Sequence, residues 1–494
     1  MTGWVTRAGA PTSLKIICQQ IIVQPIMLFW NRKEELAALA ELDAGGGLAV
    51  VWGRRRIGKT RLLLEWSKRA GGVYTVADQS AADLQRAYFA RAISQALPGF
   101  ADVTYPDWER LLSRLAADAV AAGFTGPVVI DELPYLVAGS PELPSVLQRW
   151  VDHEAKRAKL RVALAGSSQR MMQGLVLSHA APLYGRARVT LDLAGLAPEH
   201  LPKAFGRLTP AAIVEHWAAF GGVPRYWELA AQRRGSARDR LIALALDPLG
   251  PLFAEPDRLL LEESPPAIEL RSVLDAIGSG AHRLSEIAGR LGRPATSLAH
   301  ALDRLTGMSL VRREVPYGES AKSGKRSLYK IDDPFLRMWF RVVASNRAAL
   351  TAGTPGSRGA VLDEHWHLLL GQAWEELCLR GVPKIRGTLA RRGPWGPPSR
   401  YWHGADPEWD LVADAIEGDR VLLGEAWFSA KPVTSAVVGR EAERLASRPA
   451  PAAIGSREAV RALFVPAVVA SAPKLVASVH IVTLADLHGG AFRR

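Results

Sequence analysis

Gly53, Gly58, Lys59 and Thr60, with Arg54, Arg55, Arg56 and Ile57 between the glycines, are spaced so that one short loop could hold a polyphosphate. The glycines let the backbone curl until successive N–H groups point inward at phosphate oxygens, and a helix starting at the lysine adds its positive end. In this pattern Lys59 reaches the terminal phosphates, the Thr60 hydroxyl ligates Mg2+, and Arg61 follows beside them. A chance match among 44 glycines becomes rarer once the loop must also join a strand to a helix.

Pro127-Val128-Val129-Ile130 runs straight into Asp131 and Glu132. A strand ending in one acid is common, but two acids at the carboxyl end of a strand beside such a loop face the bound phosphates. Asp131 would hold Mg2+ through water, and Glu132 would polarise the attacking water. Leu160 to Ala165 is a further strand, ending in Gly166-Ser167-Ser168. Ser167 could touch the γ-phosphate or the attacking water, or could simply cap the helix that follows. Arg186 and Arg188 precede another short strand, and one of them could neutralise transition-state charge, although most arginines are merely solvated.

These groups need a scaffold. Leu48 to Trp52 is an apolar run suited to a buried strand, and Arg61 to Arg69 has helical periodicity, so the glycine loop joins strand to helix. Val73 to Val76 is a candidate strand, and residues 80 to 122 read as two alanine-rich helices parted near Pro98 to Pro106. A helix over Lys33 to Leu42, with Asn31 as its cap, leads into the first strand through Gly45-Gly46-Gly47.

Composition narrows the classes. The 494 residues suggest about three domains, and 48% hydrophobic with 22% charged residues is a globular balance. A net charge of +13 suits anionic partners such as ATP or nucleic acid without choosing between them. Two cysteines, Cys18 and Cys378, give neither a disulfide framework nor a thiolate zinc site, which fits a cytoplasmic protein. The 11 histidines are scattered, and His365 and His367 lack matching ligands. The most apolar stretch, Leu14 to Trp30, is broken by Lys15, Gln19, Gln20, Gln24 and Pro25, so no membrane partner is expected. Residues 1–26 lack the patterning that begins at Met27, and the expectation is that translation starts there and that they form an extension without a fixed fold.

Residues 263–345 carry a second pattern. Three amphipathic helices, Ile268 to Ile277, Leu284 to Leu291 and Ala295 to Leu305, precede two strands, Leu310 to Val315 and Ser327 to Ile331, which together predict a winged helix-turn-helix. Arg312, Arg313, Lys322, Lys325 and Arg326 on the wing suit phosphates. The recognition helix offers only Thr296, Ser297, His300 and Arg304, so double-stranded DNA and an internal protein–protein role both remain open.

Phe29-Trp30-Asn31-Arg32 with Glu34 and Glu35, Gly53 to Thr60, Ile130 to Glu132, Ala165 to Ser168, Leu183 to Arg186 and Gly221-Gly222-Val223-Pro224 together resemble the archaeal-type ATPases, a signal-transducing branch of the AAA-like P-loop NTPases. The resemblance implies ATP and Mg2+ as ligands, with Phe29, Asn31 and Arg32 beside the adenine and ribose. It also implies a helical lid over the nucleotide that carries Pro224. A run similar to Asp332 to Phe340 introduces an appended nuclease-like domain in that family, and Thr351 to Ala360 reads as the linker to it.

Within that last region the strands around Glu417 to Arg420 can be paired. If Ile416 faces Val421, then Val412 faces Glu425 and Asp410 faces Trp427, which makes Asp410 and Glu425 diagonal neighbours able to share a divalent cation with Glu375 or Glu376. This looks like the acidic part of a restriction-endonuclease-type fold. Trp427 occupies the place of that pattern's lysine. Lys431 lies about 13 Å further along at about 3.3 Å per residue, so activity is expected to be weak or lost.

The expected architecture is α/β, a P-loop NTPase with a parallel sheet and helical lid, then a winged helix-turn-helix and a restriction-endonuclease-like α/β domain. The expected bounds are 27–196 for the core, 197–262 for the lid, 263–345 for the winged helix and 346–494 for the nuclease-like domain. The expected function is Mg2+-dependent ATP hydrolysis serving as a switch, with a protein partner or homo-oligomer. An ATP-regulated DNA-binding regulator and an ATP-gated nuclease are the alternatives.

Overall fold

The computed structural model describes residues 29–488 except 168, 180, 264–266, 321 and 323–325. The expectations for residues 1–26, Ser168 and Lys325 lie outside the described residues.

Two sheets organise the chain. The first contains β1 (Gly47–Trp52), β2 (Val73–Val76), β3 (Pro127–Asp131), β4 (Arg161–Gly166) and β5 (Ala187–Asp192), in the order β2-β3-β4-β1-β5. Every pairing in it is parallel. All the strand carboxyl ends therefore lie along one edge, where the loop after β1 and the acids ending β3 meet. Side chains alternate between two cores: Ala49, Val51, Val129, Ala163 and Ala165 enter one, and Leu48, Val50, Val128, Ile130, Val162 and Leu164 enter the other. Both faces of the sheet are thus covered, as parallel strands require.

Asn31 does not cap the first helix. The helix spans Lys33–Ala40, its N-cap is Arg32, and no side chain bonds the cap. The Arg32 guanidinium is used elsewhere, as described below.

Residues 198–263 are helical throughout the described elements. Three helices, Ala267–Gly278, Leu284–Leu291 and Ala299–Gly307, the last preceded by a 3-10 turn over Ala295–Leu298, then lead into the antiparallel pair β6 (Val311–Glu314) and β7 (Leu328–Ile331).

The second sheet contains β8 (Ser399–Tyr401), β9 (Trp409–Asp414), β10 (Arg420–Ala426), β11 (Glu458–Val465), β12 (Leu475–Val476) and β13 (Val479–Thr483), in the order β12-β13-β11-β10-β9-β8. The β8-β9 and β9-β10 pairings are antiparallel and the β10-β11 and β11-β13 pairings parallel. One long helix, Pro355–Gly381, precedes the sheet, and Ser435–Ser447 crosses between β10 and β11. The expected linker at Thr351 to Ala360 is therefore mostly helix. Thr354 accepts a hydrogen bond from the Ser357 N–H, and Pro355 occupies the first turn, which is a helix start rather than a spacer.

One face of this second sheet, with Leu411, Ala413, Leu422, Ala462 and Phe464, joins the same core as Ala49 and Val51, while Val412, Val421, Leu423, Leu463 and Ile481 form a separate one. Trp374 is buried in the shared core, and Trp366 packs against it. A continuous apolar interior thus runs from the first sheet through the intervening helices to the second. No helix among the described residues is long and apolar enough to cross a membrane.

Candidate functional site

The loop leaves β1 at Gly53, whose φ of 142° lies in the region glycine tolerates. A Cβ there would come within 2.6 Å of the Leu193 carbonyl oxygen, so the tight approach to β5 excludes any side chain. Gly58 has a φ of 98°, and the helix Lys59–Arg69 begins directly after it. A Cβ on Gly58 would stand 3.6 Å from the Pro224 ring, which places the segment beginning at Pro224 against the loop.

Lys59 is buried, and its ammonium donates to the carbonyls of Gly53 at 2.7 Å and Arg54 at 3.2 Å. The loop is wrapped around its own cation. At the end of β3, Asp131 is 1% exposed. Its Oδ1 accepts from the Glu132 N–H at 2.9 Å, and its Oδ2 accepts from the Thr60 hydroxyl at 2.9 Å and the Tyr74 hydroxyl at 2.7 Å. Burial first, and then the Asp131 charge, push the Tyr74 hydroxyl's pKa well up. Glu132 has a φ of 55°, and its carboxylate takes the Ser167 hydroxyl at 2.8 and 2.9 Å from its two oxygens. Such a backbone conformation in a glutamate costs on the order of 1–3 kcal/mol and is kept where the surroundings enforce it. Arg32 and Arg56 are also at positive φ, so three of the seven non-glycine cases among the described residues gather at this one edge.

These groups fit a magnesium–nucleotide ligand. Thr60 and Asp131 offer hard oxygens of the kind Mg2+ takes, while Lys59 and the amides after Gly53 offer cations and donors for phosphate. The acids are held by hydroxyl donors, so their negative charge is left for a cation to meet.

The remaining sequence-predicted residues divide. Arg32 is brought to the loop, donating to the Ile57 carbonyl at 2.9 Å and the Ala194 carbonyl at 2.8 Å. Phe29 lies beneath the guanidiniums of Arg61 and Arg69, 5.9 and 5.8 Å from its ring centre. Arg55 donates to the Tyr135 hydroxyl at 3.2 Å. Asn31 is half-buried and adjoins this segment. Arg54 is buried and pairs with Asp333 at 2.7 Å, and Arg56 pairs with the fully buried Glu255. Arg186 is not brought to the loop within one chain. It precedes β5, whose first residue, Ala187, pairs with Leu48 near the start of β1, so it sits at the opposite edge of the parallel sheet. There it donates to Asp152 at 2.9 and 3.0 Å.

Sequence reasoning missed Tyr74, Glu255 and Asp333 as members of this site. Tyr74 was findable: once β2 and β3 are taken as parallel neighbours with Tyr74 opposite Val129, it shares a face with Asp131. Glu255 and Asp333 gave no local signal, being 202 and 280 residues from Gly53 in the numbering (255 − 53 and 333 − 53).

The second acidic pair differs from expectation in register. Val421 faces Asp414 and Gly424 faces Leu411, two residues from the expected pairing. Continued one step, this register sets Asp410 directly opposite Glu425 rather than diagonal to it. The turn is longer than expected because Ala415 and Ile416 belong to it. Glu375, not Glu376, faces Asp410: Glu376 is held by Arg337 at 2.8 Å and Arg380 at 2.9 Å. Arg400 lies 3.6 Å from Glu375 and 4.0 Å from Asp410, and Arg448 reaches Glu425 at 2.5 Å. Burial, then the charges of Glu375 and Glu425, raise Asp410 to about 7. Among the described residues no group of three or more His, Cys, Asp or Glu is placed to hold a metal ion. Nor is the charge around the β6-β7 pair all outward. Arg312 is tied to Glu314 at 2.9 Å and Asp332 at 3.1 Å and lines a cavity of about 40 Å³ with Arg337, Glu376 and Arg400. Arg326 pairs with Glu319.

A parallel sheet with this strand order, a glycine-bounded loop closing on a lysine, and acids at the end of the strand beside it define a P-loop NTPase-like fold. Residues 29–229 match the family described as an ATPase domain predominantly from Archaea, and the chain belongs to that family. It is 30% identical over 388 residues to the protein MJECL04 of Methanocaldococcus jannaschii, covering 78% of this chain and 84% of that one. Among solved structures it is similar to the Walker-type ATPase PABY2304 of Pyrococcus abyssi, with 20% identity, 63% of this chain and 96% of that chain covered, and a TM-score of 0.49. It is also similar to the ORC2 protein of Aeropyrum pernix, with 17% identity, 64% and 93% covered, and a TM-score of 0.38.

Proposed function

We propose that the chain binds and hydrolyses ATP with Mg2+ and that the nucleotide's presence sets how the core, the helical lid, the winged helix and the C-terminal domain sit on one another. Lys59 and the amides from Gly53 to Thr60 hold the phosphates, and Glu132 orients and deprotonates the attacking water. Ser167 holds Glu132 in place, and a bound γ-phosphate would compete for that hydroxyl. The cation, when bound by Thr60 and Asp131, would draw charge from the phosphate oxygens.

The observation that carries the switch reading is the use of the loop's own arginines. Arg54 is paired with Asp333, which follows the wing, and Arg56 with Glu255 of the lid. Phosphate oxygens arriving in the loop compete with those carboxylates for the guanidiniums, so loop occupancy and the seating of both segments are linked in either direction. Tyr226, from the lid, strengthens the joint. Its hydroxyl donates to Glu255 at 3.3 Å, and its ring lies 4.5 Å from that of Phe335.

The three helices with β6 and β7 support the winged-helix reading, and the inward ion pairs of Arg312 favour an internal docking module over a DNA reader. The helix–β8-β9-β10–helix–β11 order supports a nuclease-type ancestry for the C-terminal domain. The arginines on Asp410 and Glu425, with Trp427 in the lysine's place, favour loss of cleavage.

Calorimetry with ATP and Mg2+ tests the reading. Wild type should bind and Lys59→Ala should lose on the order of a hundredfold in affinity. Asp333→Asn keeps a side chain able to cap the helix after it but releases Arg54, and should tighten ATP binding about fivefold or more. Absence of heat from wild type sinks the ATPase reading. An unchanged affinity in Asp333→Asn sinks the switch alone.

A further inference from the structure

We propose that Tyr74 is a positioning residue for the cation site, fixing Asp131 so that its Oδ2 edge is held toward Thr60 before any metal arrives. The inference rests on the magnesium–nucleotide reading of the loop.

Asp131 is enclosed, and the described hydrogen bonds to its carboxylate come from three donors. The Glu132 N–H belongs to the backbone and fixes Oδ1. Thr60 is shared, since its oxygen is the expected ligand of the cation while its hydrogen stays on Oδ2. Tyr74 is the remaining donor, and its shortest contact in the site is the 2.7 Å bond to that oxygen. The strand pairing explains the aim. Tyr74 faces Val129 across β2 and β3, and Val129 and Asp131 are two residues apart, so Tyr74 and Asp131 lie on one face as diagonal neighbours. The Tyr74 ring packs against the shared core, which keeps the hydroxyl from swinging to solvent. A carboxylate that meets Mg2+ through water depends on orientation, because partners behind a metal's ligands set their direction and basicity, and losing one typically costs 10–100-fold in metal affinity.

The test separates metal from nucleotide. ADP binding is measured by calorimetry in EDTA and then across a MgCl2 titration for wild type, Tyr74→Phe, Asp131→Asn and the double variant. The phenylalanine retains the ring's packing, and a melting temperature near that of wild type checks this. ADP affinity in EDTA should stay within about twofold of wild type, while the MgCl2 needed for half of the metal-dependent tightening rises about tenfold. In the Asp131→Asn background Tyr74→Phe should add no further change. An unchanged magnesium dependence, an equal loss of affinity with and without Mg2+, or the same effect in both backgrounds overturns the role of Tyr74 while leaving the nucleotide reading intact. Failure of wild type to bind ADP in either condition overturns both.

Discussion

Asp131 with Glu132, and Asp410 with Glu425, are two pairs of acids at the ends of buried strands, and sequence inspection alone treats them much alike. Their surroundings part them. The first pair is met by hydroxyls, from Thr60, Tyr74 and Ser167, which orient carboxylates without neutralising them. The second is met by guanidiniums, Arg400 between Glu375 and Asp410 and Arg448 with Arg444 on Glu425. A divalent cation gains most where negative charge has been gathered and left uncompensated. Neutral donors leave that charge standing, whereas arginines already occupy the role a metal would take.

The strongest way to break this contrast is to neutralise one acid from each pair. Glu132→Gln should keep ATP binding yet lower turnover by about 10²–10⁴-fold, the usual worth of a positioned general base. Glu425→Gln should leave turnover within about twofold. Equal effects in a steady-state phosphate-release assay would show that the two pairs are not functionally distinct.

Removing the compensating cation sharpens it further. Arg400→Ala leaves the half-buried Glu375 and Asp410 facing one another without a cation and should lower stability by about 1–3 kcal/mol in urea unfolding. If the guanidinium stands in for a metal, millimolar Mn2+ should restore part of the loss in the variant and do nothing for wild type. Loss with no response to Mn2+ would show that the acids are too far apart to share a cation once the arginine is gone.

The sequence's legibility follows the same divide. Local patterns in β1, the glycine loop and β3 were sufficient because strand, loop and helix are contiguous and their chemistry is carried by backbone amides and adjacent side chains. The C-terminal acids were found too, and their shared face was right because a two-residue slip preserves alternation. What could not be read was the partner of each acid. Arg400 comes from β8 and Arg448 from beyond the helix Ser435–Ser447, and only the tertiary packing brings them in. The helix Pro355–Gly381 was legible from Thr354-Pro355 but hidden by the glycines and serines around it, which resemble a linker in composition.

The smallest expected effect concerns Asp410 and the sign of its pH dependence. Its carboxyl is raised to about 7 in the folded chain by burial and by Glu375 and Glu425, with Arg400 and the Ala426 N–H opposing the shift. An unfolded aspartate titrates near about 3.9. Above about pH 7 the side chain is ionised in both states, and the folded state bears the whole cost of a crowded, buried charge. As pH falls toward about 4 the folded carboxyl takes up its proton while the unfolded one remains ionised, so that cost disappears. Asp410→Asn, which can still accept the Ala426 N–H, should therefore be more stable than wild type by on the order of 1–2 kcal/mol at about pH 8, with the gap closing by about pH 5. Urea midpoints for both proteins across that range measure it. A gap that stays constant, or widens on acidification, would mean that Arg400 already compensates Asp410 fully, and the contrast with Asp131 would then be sharper than the raised pKa implies.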